Sequence, residues 1–208
     1  MLFSRSLFAA AWGVALGAIS AAPATAHDYW DPQVGKAIQV YTQGGAYSPL
    51  ADLDDAGHAD FRTGFSLGGG AAYQFNEHLA VRLSLNFARA EARAEHLPLT
   101  RIDGTRFNRY LYDADLQIRY PLARGVTPYV FVGAGGVTVE RDVVRMRSRF
   151  TKGAGKAGLG LGYLVPERNV GLHVEAAGWI YQWDRYGFDR TQLDLSVSAG
   201  LSYRFRLR

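Results

Sequence analysis

His173 is the one histidine of this 208-residue chain that falls in an alternating apolar/polar segment, and Glu175 stands two residues beyond it. A His-x-Glu pair on one side of a strand sets an imidazole beside a carboxylate, the beginning of acid–base chemistry or of a metal site. Two such groups do not make a metal centre. The other four histidines, His27, His58, His78 and His96, fall in turns, in long polar links or at the start of the exported chain. A hydrolase acting on lipid would need serine, histidine and carboxylate together on an apolar face, and no histidine falls on one. The reading is therefore of a chain without a catalytic site, a metal or a cofactor. The remaining polar chemistry is charge. Arg62, Arg82, Arg109, Asp113, Asp115, Arg119, Lys156, Glu175, Asp194 and Arg204 recur at alternate positions within otherwise apolar stretches. Arg141, Arg145, Arg147, Arg149 and Lys152 crowd one polar link, and guanidinium groups match phosphate geometry in bidentate fashion.

Elements that could position such charges show a period of two. Phe61, Phe65, Leu67, Tyr73 and Phe75 share one parity, against Arg62, Ser66, Gly68 and Gln74 on the other. The same alternation runs through Leu79–Ala88, Arg109–Tyr120, Lys156–Tyr163, Val170–Ala177 and Leu193–Phe205. This is the signature of strands with two unlike faces. Ile38–Ala46 reads as a first strand with a weak face. Pro128–Val139 is apolar on both parities, and its inner side is not assigned. The count is eight. Asn76–His78, the stretch around Pro121–Val126 and Pro166–Arg168 are short connections. Ser48–Asp60, Glu91–Thr105, Glu140–Lys152 and Trp183–Arg190 are longer ones, so short turns and long loops alternate.

The N-terminus reads differently. Arg5 precedes an apolar run from Leu7 to Ile19, and small residues lead to Ala24-Thr25-Ala26. That order describes a cleaved signal peptide over residues 1–26, followed by a lead segment over 27–36 and the strands over 37–208. The exported part has no cysteine, so disulfides do not staple it. Without Arg5 the balance is 22 basic against 19 acidic residues, too mild to indicate nucleic-acid binding.

An all-β, eight-stranded antiparallel up-and-down barrel follows, and its charge load indicates which face is inside. The face bearing the charges also carries many Gly, Ala and Ser, which a water-facing wall does not need. A crowded lumen does, because eight strands leave just enough room for side chains. The apolar face then meets lipid. Tyr73, Phe75, Tyr120, Tyr129, Tyr163, Tyr203 and Phe205 would form an aromatic girdle at the short-turn rim.

The final strand, Ser198-Ala199-Gly200-Leu201-Ser202-Tyr203-Arg204-Phe205, resembles the C-terminal signal read by the outer-membrane insertion machinery, with Gly200, Tyr203 and Phe205 as its marks. Arg206-Leu207-Arg208 depart from it by following the aromatic residue. The segments YDADLQIRYPL, VTPYVFVGAGG and AGLGLGYLV resemble the OmpA/OmpX-type outer-membrane β-barrel family over roughly residues 37 to 205. The resemblance implies an integral protein of a bacterial outer membrane and says little about role.

Arg62, Arg82, Asp113, Asp115, Arg119, Lys156, Glu175, Asp194 and Arg204 are then expected to pair as a polar plug in the lumen. Arg145, Arg147 and Arg149 are expected to contact lipopolysaccharide phosphates, and Trp183, Tyr186 and Phe188 to meet the outer leaflet or a partner. The leading expectation is a structural or surface-interaction barrel that supports envelope integrity or binds a surface or host partner through its loops. A narrow channel for small solutes and a lipid A-modifying enzyme are the alternatives.

Overall fold

A computed structural model describes residues 36–50, 59–94, 106–122, 125–143, 146–165, 168–184 and 190–207. The leader read over residues 1–26, and all of the lead segment except Lys36, lie outside them. Nine strands are found among the described residues: β1 (Ala37–Pro49), β2 (Ala59–Phe61), β3 (Gly64–Gln74), β4 (Leu79–Ala94), β5 (Arg106–Arg119), β6 (Val126–Val143), β7 (Met146–Leu164), β8 (Val170–Trp183) and β9 (Arg190–Arg206). Each long strand pairs antiparallel with its sequence neighbours. β1 also pairs with β9, from Ala37↔Arg206 to Pro49↔Asp194, which closes the ring. β2 and β3 both pair with β4 and share one stave, so the barrel has eight.

Closure pairs every long strand on both sides, the condition for strands in a bilayer, where every backbone donor and acceptor must be paired within the protein. The apolar parity faces out. Leu83 and Val132 are each 60% exposed, and Leu67, Leu116, Ile118, Val174, Val197 and Leu201 are exposed with them. On a water-soluble protein such a belt would be an aggregation surface. Phe75, Tyr120, Tyr163, Tyr203 and Phe205 face out at the short-turn rim, with Tyr203 and Phe205 in edge contact at 4.8 Å. Tyr129 does not join them. It is buried, because β6 turns its odd positions inward and gives Tyr129 and Phe131 to the lumen.

The short turns have local causes. Asn76 Oδ1 accepts from the backbone N–H groups of His78 and Leu79, both at 2.8 Å, which folds the chain between β3 and β4. Gly125 sits at φ +80° before β6, and a Cβ there would lie 2.5 Å from the Leu164 carbonyl oxygen.

Three segments depart from the sequence expectation. The second stave is not continuous from Phe61 to Phe75. Phe61 faces Ala92 and Phe65 faces Arg89, so Arg62 and Thr63 together oppose Glu91. That single extra residue is a β-bulge, and with a side-chain period of two it reverses parity. Phe61 therefore enters the lumen, while the Arg62 side chain is 61% exposed and lies 3.8 Å from Glu91. The link expected over Glu140–Lys152 is instead ladder, with Val143↔Met146 as its last pair. β6 and β7 have 18 and 19 residues against the 9–11 that cross a bilayer, so roughly eight residues of each rise past it. β4 likewise runs to Ala94, beyond the expected end of its strand.

Candidate functional site

The inward side chains form three layers along the barrel axis. In the middle layer, register alone brings opposite charges together: Arg82 faces Asp115 and Ser84 faces Asp113 across β4 and β5. Arg82 donates from Nη2 to Asp115 Oδ2 at 2.8 Å and from Nη1 to Glu175 Oε2 at 2.6 Å, so one guanidinium ties β5 to β8 across the lumen. Lys156 of β7 donates to Asp113 Oδ1 at 2.7 Å and to Asp115 Oδ2 at 2.9 Å. Ser84 donates to Asp113 at 2.7 Å and receives the Tyr41 hydroxyl at 3.0 Å. The Tyr129 hydroxyl donates to Glu175 at 3.3 Å. Phe131 lies under both cations, 4.2 Å from the Arg82 guanidinium and 5.1 Å from Lys156 Nζ. Room for these rings is made by glycines: a Cβ on Gly158 would come 2.3 Å from Phe131, and one on Gly160 2.4 Å from Tyr129.

The layer toward the long-loop rim is aromatic. Phe61, Phe107, Phe150 and Trp183 are buried against one another, with ring centroids 5.6 Å apart for Phe61–Phe107 and 5.1 Å for Phe150–Trp183. Arg109, with no exposed surface, lies 4.4 Å from the Phe61 ring centroid and 3.7 Å from Asp194. Tyr47 and Tyr181 donate their hydroxyls to the same Asp194 oxygen, the latter at 2.9 Å. Trp183 belongs to this layer and not to a lipid-facing loop; Tyr186 and Phe188 lie outside the described residues.

The layer at the short-turn rim is a cavity lined by Gln39, Gln117, Arg119, His173, Ser202 and Arg204, among others. Of the charges expected to pair, Arg82, Asp113, Asp115, Lys156 and Glu175 meet in the middle layer, and Asp194 meets Arg109 above it. Arg119 and Arg204 line the cavity without an ion pair among the described residues, and Arg62 is on the outside. His173 does not form an acid–base pair with Glu175, whose carboxylate is taken up by Arg82 and Tyr129; its ring packs edge-on against Tyr41 at 5.7 Å.

Sequence reasoning missed the inward aromatics Tyr41, Tyr47, Phe61, Tyr129, Phe131 and Tyr181. Their signal was the glycine opposite several of them in the neighbouring strand, legible only once register is known. Arg149 is exposed on β7, Arg147 lies in its ladder, and Arg145 lies outside the described residues. Tyr203 and Phe205 face out, while a Cβ on Gly200 would lie 2.0 Å from the Thr42 carbonyl oxygen.

A closed antiparallel ring with an apolar exterior and a charged, filled interior defines a transmembrane β-barrel. The chain belongs to the outer membrane protein β-barrel domain family, whose model matches residues 12–205. It is an integral protein of the bacterial outer membrane, built on the OmpA/OmpX-like eight-stranded plan. Among solved structures it is similar to Neisserial surface protein A, at 18% identity over 82% of this chain and 97% of that one, with a TM-score of 0.57. The N-terminal β-barrel domain of Pseudomonas aeruginosa OprF is 16% identical over 83% of this chain and all of its own, TM-score 0.53. Pseudomonas aeruginosa OprG is 18% identical over 85% of this chain and all of its own, TM-score 0.51. These likenesses are of fold. No curated protein matches the sequence.

Proposed function

We propose that this barrel is a plugged, non-conducting scaffold that holds its long-loop rim at the cell surface for envelope support or surface interaction. One observation carries the reading: the lumen is filled in two successive layers, by ion pairs around Arg82 and Lys156 and by the rings of Phe61, Phe107, Phe150 and Trp183. An ion crossing would have to part buried pairs and then an aromatic cluster that offers it no solvation. Purified protein in planar bilayers is expected to give no steady conductance steps. Reproducible open levels at modest voltage would return the narrow channel to first place. No catalytic step enters this reading.

The long β6–β7 hairpin is the part of the rim that this reading uses to hold lipopolysaccharide. Arg149 is exposed on the same parity of β7 as the lipid-facing Leu161, and Arg147 and Arg145 continue that parity in the sequence. Each arginine near an anionic lipid surface contributes about 1 kcal/mol at low salt. Changing Arg145, Arg147 and Arg149 together to serine is expected to weaken binding to purified lipopolysaccharide and to flatten its salt dependence. Unchanged binding from low to high salt would leave the hairpin without this role.

A further inference from the structure

The cavity at the short-turn rim carries chemistry that neither the plug nor the loops use. Arg119, the last residue of β5, is 9% exposed, and Arg204, near the end of β9, is 5% exposed; both line it. Its described lining contains no carboxylate. The third guanidinium there, Arg82, is already committed to Asp115 and Glu175. Among the described residues neither Arg119 nor Arg204 makes an ion pair, and Arg204 Nε donates to nothing. Two like charges withdrawn from water in one cavity oppose folding unless an anion offsets them.

Neutral donors surround them. Gln117, Thr127 and Ser202 line the same space, and Tyr129 lines it with them. The cavity has about 50 Å³ of room for water-sized groups. It opens at the rim of short turns, which in barrels of this kind faces the periplasm.

We propose that Arg119 and Arg204 form a binding site for a small oxyanion, of the phosphate class, entering the lumen from the periplasmic side. Planar forks of donors suit tetrahedral or carboxylate oxygens, and a bound dianion would offset both charges at once. The site deepens the scaffold reading without depending on it, since a periplasmic pocket below the plug needs no passage through the barrel.

The test is titration calorimetry of the full chain in an uncharged, phosphate-free detergent, with inorganic phosphate as the probe and chloride at matched ionic strength as the control. Saturable binding is expected for the native protein, about tenfold or more weaker for Arg119→Gln, and lost in Arg119→Gln/Arg204→Gln. Arg206→Gln, changed at an exposed position nearby, should bind as the native chain does. A thermal scan in chloride keeps the proposal testable if binding is hard to read. There the double variant should unfold at a temperature at least as high as the native protein, because two unpaired buried charges are gone, and phosphate should raise the midpoint of the native protein alone. Binding no stronger than the chloride control, or equal binding by the double variant, would overturn the proposal.

Discussion

Replacing Arg82 with leucine is expected to destabilise the folded barrel by about 3–5 kcal/mol, the effect of removing one partner from a buried ion pair. Arg82 bonds Asp115 and Glu175 at once, and both carboxylates are nearly without exposure. Among the described residues, leucine leaves Glu175 with the Tyr129 hydroxyl alone, while Asp115 keeps Lys156. The stranded charge should therefore be that of Glu175. Adding Glu175→Gln to the Arg82→Leu chain is accordingly expected to recover much of the loss. Urea unfolding in lipid vesicles, followed by the fluorescence of the buried Trp179 and Trp183, measures both. An Arg82→Leu chain as stable as the native one would mean that the middle layer is hydrated and loosely paired.

One residue along, the sign of the chemistry reverses. Leu83→Arg is expected to cost about 2–4 kcal/mol, because it sets a charge on the lipid face near mid-strand. Leu83 is 60% exposed and flanked on the same face by Val81 and Leu85, so the new guanidinium has no inward route to the lumen carboxylates. The same unfolding assay applies. Arg82→Leu and Leu83→Arg thus test opposite faces of one strand, and their losses have different remedies. Glu175→Gln should rescue the first and leave the second unchanged.

How much of this was readable in advance depended on whether period two was unbroken. β4, β5, β8 and β9 alternate cleanly, and their inner and outer faces follow from the residues alone. Where one residue was inserted, at Arg62–Thr63, parity reversed and the reading of Arg62 failed with it. A bulge of this kind leaves no mark in composition. In β6, alternation was masked because both faces are apolar: Val130 and Val132 meet lipid, while Tyr129 and Phe131 pack against Gly160 and Gly158. Glu140–Lys152 reads as a loop because it is polar, whereas above the bilayer a strand pair has no need of an apolar face. Charges on one parity could be assigned to the lumen, but their partners could not. Arg82 reaches Glu175, 93 residues away, through barrel closure, and nothing local predicts that. Nor does local sequence separate Arg82, which finds two carboxylates, from Arg119 and Arg204, which find none among the described residues.

The central claim is that the apolar parity faces lipid and the charged parity fills the lumen. The chain has no cysteine, so single cysteines can be placed one at a time from Val81 to Phe87 of β4, labelled with a nitroxide, and read in lipid vesicles. Accessibility to oxygen, which partitions into lipid, should alternate, with maxima at Val81, Leu83, Leu85 and Phe87 and minima at Arg82, Ser84 and Asn86. Maxima at the even positions, or no alternation at all, would contradict the account.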